Sequence, residues 1–380
     1  MTALEVIAFA GGLVVVLGTL SSVVRTLVIP RGITSRLTLA VERAVHRTYA
    51  VVVSRVSTYE SKDKILAVEA PTVLLGLLAT WLGLLVAGFG LMLWGVADVS
   101  FGSALREAGS SIVTLGFAST PGAAATTLDI VAAAVGLVIV ALQIAYLPTL
   151  YAAFNRREVL VTTLESRAGS PAWGPELLAR HALVNSIDNL PLLYAEWEAW
   201  AADVAESHTN YPILVSFRSP KPLRSWVVAL IAVMDSAALY LALCPSTAPS
   251  ATRLSLRMGF TCLRDVAAAL KVPFDPDPLP TQAIALTYEE FLGGIERMRK
   301  QNFPMERTPE EAWPHFQGWR VNYESVAYAL ADRTAAVPGQ WTGERTRMDG
   351  TPIAAIPPPN RTPDAPDGAG MPPPGSMGSR

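Results

Sequence analysis

The sequence predicts an all-α membrane protein with three transmembrane helices, a re-entrant loop between the second and third, a further helical domain and a disordered C-terminal tail. Two observations lead to this prediction. The 380 residues are 51% hydrophobic and only 16% charged, and a mean hydropathy of +0.34 is unusual for a soluble protein. In addition, long uncharged stretches near the N-terminus alternate with segments that are rich in Lys and Arg.

Three uncharged stretches are long enough to cross about 30 Å of hydrocarbon in a helix that rises about 1.5 Å per residue. The first lies between Glu5 and Arg25, the second covers residues 71–97 and the third covers residues 130–155. The first is expected to be a transmembrane helix and not a cleaved signal peptide, because an acidic residue precedes it and basic residues follow it.

The basic residues predict the orientation, because Lys and Arg in short loops stay on the cytoplasmic side. The loop between the first two spans contains Arg31, Arg36, Arg43, Arg47, Arg55, Lys62 and Lys64. We therefore expect a multi-pass protein of the plasma membrane, with its N-terminus outside the cell. Everything after Arg156 is expected to be cytoplasmic.

Residues 35–59 predict an amphipathic helix in this basic loop. Apolar residues recur at spacings of three and four from Leu37 to Tyr59, and the arginines lie largely off that stripe. Two placements fit the pattern. The helix either lies on the inner leaflet with its arginines near anionic headgroups, or packs as a soluble helix on the cytoplasmic domain.

The predicted boundaries give five segments: a first transmembrane helix (1–30), a basic linker helix (31–68), a helical hairpin unit (69–155), a cytoplasmic all-α domain (156–334) and a disordered tail rich in Pro and Gly (335–380). Residues 226–244 are long enough to be a fourth span. Asp235 lies in their centre, and a charge there costs about 3 kcal/mol on insertion. A buried helix of the cytoplasmic domain is therefore predicted, together with further helices at residues 156–169, 174–206 and 252–271.

The connection between the second and third spans, residues 98–129, is too rich in small and polar residues to cross the membrane. A short helix is predicted at residues 104–113, and the next five residues are Thr114, Leu115, Gly116, Phe117 and Ala118. They resemble the Thr-x-Gly-Tyr/Phe-Gly filter of potassium channels, especially the two-pore-domain branch, in which Phe replaces Tyr. The resemblance covers roughly residues 71–154, with outer helix, pore helix, filter and inner helix in the order of that family.

The resemblance implies a cation channel for K⁺ or for monovalent cations with weak selectivity, in which backbone carbonyls replace the water around the ion. Gly116 would adopt the left-handed conformation that such a loop needs. Thr114 would add oxygen ligands at the inner end, and Phe117 would brace the loop. Ala118 replaces the second filter glycine, and a left-handed alanine costs about 1 kcal/mol or more. The sequence therefore predicts a cation pore without predicting selectivity for potassium.

Further residues of this unit are candidates for the cavity, the gate and the pore mouth. Gly136 is either a bending point of the inner helix or a packing glycine. Gln143 is predicted to line a cavity, and Pro148 to kink the helix near its inner end. Arg106 and Glu107 form either a solvated pair or a ring of charge at the mouth. Since one loop cannot enclose an axis, the resemblance implies a homotetramer.

Enzyme motifs are absent from the sequence: it has no phosphate loop, nucleotide-binding glycine pattern, metal-ligand pair or nucleophile motif. The prediction is therefore not an enzyme, with no cofactor or bound metal beyond the permeant cation and no nucleic-acid partner. Membrane lipids are expected partners. Cys244 and Cys262 are expected to be core residues. The alternative function is a non-conducting, membrane-anchored signalling or interaction protein in which the hairpin is structural.

Overall fold

A computed structural model describes residues 2–29 and 35–343, and it is all-helical in those ranges, with 74% helix and no strands. The predicted all-α class is thereby confirmed. The chain divides into two compact units, which are Met1–Ala153 and Phe154–Arg380.

The first unit is built from six helices, the last of which continues into the second unit: α1 (Ala3–Val23), α2 (Arg36–Val53), α3 (Tyr59–Leu66), α4 (Glu69–Val96), α5 (Phe101–Ile112) and α6 (Ala123–Ala168). A π-helical turn, Val24–Val28, extends α1. The start of α1 is fixed by a capping box. The Thr2 amide donates to the Glu5 carboxylate at 2.7 Å, and the Glu5 amide donates to the Thr2 hydroxyl at 3.3 Å.

Glycines allow α1 and α4 to approach each other closely. A Cβ atom added at Gly12 would lie 2.4 Å from the carbonyl oxygen of Gly88, and one added at Gly88 would lie 3.0 Å from that of Gly12. About two turns further along both helices, a Cβ at Gly95 would lie 2.6 Å from the carbonyl oxygen of Glu5. Close backbone contact at small residues is a usual way for membrane helices to associate.

Four helical segments of the described chain are long and apolar enough to cross a membrane, which indicates a membrane protein: Ala3–Val28, Tyr59–Val96, Ala123–Ala168 and Trp226–Leu243. They differ in how much of the apolar window the protein itself buries. The buried share is 33%, 44% and 22% in the first three and 94% in the last. The last segment therefore has almost no surface left for lipid, which is the arrangement expected of a buried helix.

The second unit contains the end of α6 and seven more helices: α7 (Gly174–Leu183), α8 (Leu190–Asn210), α9 (Trp226–Leu243), α10 (Ser250–Ala269), α11 (Tyr288–Arg299), α12 (Pro309–Arg320) and α13 (Glu324–Arg333). The central helix is α9, in which only Leu241 is not buried. Asp235, in the middle of α9, forms a buried ion pair with Arg320 and accepts a hydrogen bond from the Tyr323 hydroxyl at 2.7 Å. Its charge is therefore compensated inside the protein.

Two parts of the second unit differ from the sequence prediction. Residues 174–206, predicted as one helix, form α7 and α8, because the chain turns between them with Asn185 at a φ of +52°. Residues 335–343 belong to the predicted tail, yet Val337 and Trp341 are buried and the Trp341 carbonyl accepts a hydrogen bond from Arg320 at 2.7 Å. The remaining tail, residues 344–380, lies outside the described residues.

Candidate pore segment

The segment between α4 and α6 begins with the short helix α5, three residues longer at its start than predicted. Its N-cap is Ser100, whose hydroxyl accepts a hydrogen bond from the Ser103 amide at 3.2 Å. The helix packs on α4 at a glycine, since a Cβ at Gly90 would lie 3.0 Å from Leu105. This contact places α5 beside the apolar helix α4.

The loop after α5 contains two left-handed residues at alternate positions. Thr114 has a φ of +57° and Gly116 a φ of +70°. Alternation of right- and left-handed residues aligns successive peptide groups, with N–H groups on one side and carbonyls on the other. Gly116 takes this conformation without strain because it has no Cβ. Thr114 takes it at a cost of about 1–2 kcal/mol, since it is β-branched.

The backbone of Ala118 differs from what the filter resemblance implies. Ala118 is not among the described residues with a positive φ, so the cost expected for a left-handed alanine does not arise. The left-handed positions are two residues earlier than in the implied pattern, at 114 and 116 instead of 116 and 118. The backbone of the outer half of the segment therefore differs from the one that the filter resemblance implies.

Ser110, a residue that the sequence analysis did not single out, holds the loop against α5. Its hydroxyl accepts hydrogen bonds from the amides of Phe117 at 3.0 Å and Ala118 at 3.3 Å. Its carbonyl accepts one from the Leu115 amide at 2.8 Å. These N–H groups all point toward α5. A hydroxyl in the last turn of a short helix, ahead of a glycine-containing loop, is the only sequence signal for such a role.

Glu107 is neither part of a solvated pair nor of a charged ring, because it is only 2% exposed. Its carboxylate accepts hydrogen bonds from the Thr120 amide at 2.7 Å and from the Thr120 hydroxyl at 2.5 Å. Arg106 lies instead over the ring of Phe117, 5.3 Å from its centroid. The two charged residues therefore contact different parts of the loop: Arg106 contacts Phe117, and Glu107 binds Thr120 at the far end.

We expect Glu107→Ala to release the end of this loop. The substitution removes two charge-assisted hydrogen bonds, each of which contributes about 1.5–3 kcal/mol. Amide hydrogen exchange at residues 117–120 should accelerate at least tenfold, as followed by mass spectrometry of the full chain in detergent. Glu60→Ala, which changes an exposed acid on α3, is the control. Unchanged exchange at residues 117–120 in Glu107→Ala would contradict the proposed attachment.

Gly136 lies on α6 at its contact with the end of α5. A Cβ atom at this position would lie 2.1 Å from the carbonyl oxygen of Ile112, a distance that no real structure tolerates. Of the two interpretations of this glycine, close packing is therefore the one that the geometry supports. The contact joins the residue before the loop to the helix after it.

Gln143 and Pro148 also lie on α6. The sequence predicts that Gln143 lines a cavity. In the structure the residue is only 6% exposed, so the chain itself encloses the side chain. Its Oε1 atom has no hydrogen-bond partner among the residues that the structure describes. The helix continues through Pro148 from Ala123 to Ala168, and the kink at Pro148 stays a prediction.

One face of α6 is apolar and uncovered. Its large side chains are 44% to 65% exposed, and they are Ile130, Val131, Leu137, Val138 and Ile144. An apolar surface of this extent needs lipid or another polypeptide against it. Leu115 and Phe117 of the loop are similarly open, at 64% and 55% exposure.

Arg157, near the C-terminal part of α6, is a second residue that the sequence analysis did not single out. It is fully buried in the second unit and donates hydrogen bonds to the carbonyls of Leu214 at 2.8 Å and Phe217 at 2.7 Å. It also pairs with Glu158 at 2.8 Å and donates to His208 Nε2 at 3.1 Å. Burial, and then the nearby guanidinium, hold the pKa of His208 well below its usual range, which keeps the imidazole neutral as an acceptor.

The described residues contain no group of three or more His, Cys, Asp or Glu side chains placed to hold a metal ion. Cys244 and Cys262 are buried and unpaired, as ordinary core residues are. No protein-family model, curated protein or solved structure matches this chain. The potassium-channel resemblance of residues 71–154 therefore rests on residues 114–118 and on the order of the helices around them.

Proposed function

We propose that the chain is one subunit of a homotetrameric cation channel of the potassium-channel type. It lies in the plasma membrane with the N-terminus outside and the second unit in the cytoplasm, and α1, α4 and α6 span the bilayer around the re-entrant segment. The observation that supports this most is the left-handed Gly116 in an exposed loop whose N–H groups are turned toward α5.

The arrangement suits ion conduction because the loop directs its hydrogen-bond donors to one side. The amides of Leu115, Phe117 and Ala118 are bonded to Ser110, which leaves the carbonyls of the segment to face other directions. Carbonyl oxygens that are free of internal partners can coordinate a cation in place of water. The C-terminal end of α5 adds a negative partial charge that favours a cation nearby.

The exposed surfaces of a single chain support the proposed assembly of four copies. Leu115, Phe117 and the uncovered face of α6 are apolar and open. Four chains around one axis would bring four loops together and cover part of these surfaces. The ordinary backbone of Ala118 supports monovalent cation conduction with weak selectivity, because a potassium-type outer filter site needs the second left-handed residue.

We expect proteoliposomes that contain the purified chain to pass K⁺ down its gradient. Gly116→Ala should reduce this flux at least tenfold, because alanine in a left-handed conformation costs about 1–2 kcal/mol in every subunit. Gly102→Ala is the matched control. Neither glycine has a neighbouring atom within 4 Å of an added Cβ, but Gly102 lies in α5 with an ordinary φ.

Three results would contradict the proposal. A monomer or dimer by light scattering in detergent excludes a pore with one loop per chain. A stable tetramer that passes neither K⁺ nor Na⁺ would favour the other function, a non-conducting membrane-anchored signalling or interaction protein. Equal flux in the Gly116→Ala and Gly102→Ala variants would mean that the loop does not line the conduction path.

A further inference from the structure

The apolar face of helix α2 is half-buried against other helices of the first unit. Val41 lies 3.5 Å from the position of a Cβ at Gly76 of α4. The Tyr49 hydroxyl bonds to that of Thr72 at 2.8 Å, and His46 contacts Glu69 at 2.9 Å. In both placements considered from the sequence the apolar stripe has another partner, whereas here it packs on a candidate transmembrane helix.

The start of α2 is fastened to the end of α1 by side-chain hydroxyls. The hydroxyl oxygens of Ser22 and Ser35 are 2.7 Å apart, and those of Thr26 and Thr38 are 2.9 Å apart. The helix therefore lies beside the last residues of one apolar helix and the first residues of the next. That is where two consecutive spans leave and re-enter the bilayer, at the depth of the lipid headgroups.

The opposite face of α2 presents arginines to solvent. Arg36, Arg43 and Arg47 lie seven and four residues apart, a spacing that keeps them on one side of a helix, and Arg55 follows the helix end. All four are exposed. Within residues 2–29 and 35–343, none of the four takes part in an ion pair. Their positive charges therefore remain uncompensated.

We propose that this arginine face, consisting of Arg36, Arg43, Arg47 and Arg55, binds the phosphoryl groups of anionic phospholipids at the membrane surface. Guanidinium groups donate two parallel hydrogen bonds to phosphate oxygens, and anionic leaflets attract basic segments that lie next to a span. Val51 is exposed beside the arginines and suits the boundary with the acyl chains.

The distribution of the arginines favours a lipid surface over a single soluble phosphate. Helix α2 has 18 residues, so the four side chains are spread over roughly 27 Å at about 1.5 Å per residue. A row of that length meets several headgroups at once, whereas a soluble phosphate ligand needs its cations to converge. The packing of α2 on α4 keeps the row at the membrane.

The test is native mass spectrometry of the full chain in detergent, titrated with phosphatidylglycerol or phosphatidylcholine. The chain should bind phosphatidylglycerol more tightly. Removal of each arginine should weaken this binding about fivefold, so R36Q/R43Q/R47Q/R55Q should lose the preference for the anionic lipid. A control with the same change in net charge replaces four exposed basic residues of the second unit: R257Q, R299Q, K300Q and R333Q.

Because no flux is measured, this experiment can succeed or fail independently of the channel proposal. Unchanged phosphatidylglycerol affinity in the quadruple variant, or equal loss in the control variant, would overturn the assignment. Displacement of phosphatidylglycerol by equimolar glycerol 3-phosphate would overturn it in favour of a soluble phosphate ligand. If the quadruple variant does not fold, R43Q and R47Q alone should each show the fivefold weakening.

Discussion

Gly136→Ala should disable the pore segment and destabilise the first unit. The new methyl group would lie 2.1 Å from the carbonyl oxygen of Ile112, and a backbone atom cannot move aside as a flexible side chain can. Relief requires α5 and α6 to separate, which shifts the loop between them. Overpacking of this kind costs about 1–3 kcal/mol. We expect a lower midpoint of thermal unfolding in detergent and loss of K⁺ flux in proteoliposomes.

A second glycine variant separates this packing effect from the general effect of alanine in a helix. Gly83 lies inside α4, and a Cβ added there meets no atom within 4 Å. Gly83→Ala should therefore be neutral or stabilising by up to about 1 kcal/mol, with normal flux. If Gly136→Ala instead kept wild-type stability and its flux differed only in gating, the glycine would be a bending point after all.

Arg320→Met should destabilise the second unit strongly. The guanidinium is fully buried, pairs with Asp235, and donates to Glu324 at 2.8 Å and to the Trp341 carbonyl at 2.7 Å. Methionine fills part of the space but leaves Asp235 as a buried charge without its cation. Removing one partner of such a pair costs about 3–5 kcal/mol. The measurement is urea unfolding of the purified chain, followed by tryptophan fluorescence.

Two companion variants identify the cause of that loss. Arg257→Met, at an exposed position of α10, should change the free energy of unfolding by no more than about 0.5 kcal/mol. Asp235→Asn combined with Arg320→Met removes both charges and should recover part of the stability. A double variant as unstable as Arg320→Met would show that the hydrogen bonds of the guanidinium, and not the isolated carboxylate, account for the loss.

Helix positions were largely predictable from the sequence, because apolar periodicity and length are local properties. The predicted helix at 252–271 corresponds to α10 (Ser250–Ala269), and the apolar spans lie within α1, α4 and α6. The packing of α2 was not predictable in the same way. Its stripe showed that one face would be covered, but the identity of the covering helix depends on contacts such as Tyr49 with Thr72, which are distant in sequence.

In the candidate pore segment, too, some features could be predicted from the sequence and others could not. Gly116 can be identified from the sequence because a left-handed backbone conformation favours glycine. The roles of Ser110 and Glu107 depend on how the loop returns to α5, since Glu107 accepts hydrogen bonds from Thr120, thirteen residues later. From the sequence alone, a glutamate beside an arginine in a short helix is expected to be solvated. Only the path of the loop back to α5 shows that it is buried. Thr114 carries no sequence signal for its strained φ, since residue type argues against it.

The buried carboxylate of α9 has a consequence for the synthesis of the chain. Helix α9 is apolar enough to enter a bilayer, and it emerges from the ribosome 85 residues ahead of Arg320, the cation that neutralises Asp235 in the folded protein. During that interval the carboxylate has no partner, so partition into lipid is disfavoured by about 3 kcal/mol. The same side chain that the finished fold must neutralise thus disfavours insertion of the nascent helix into the membrane.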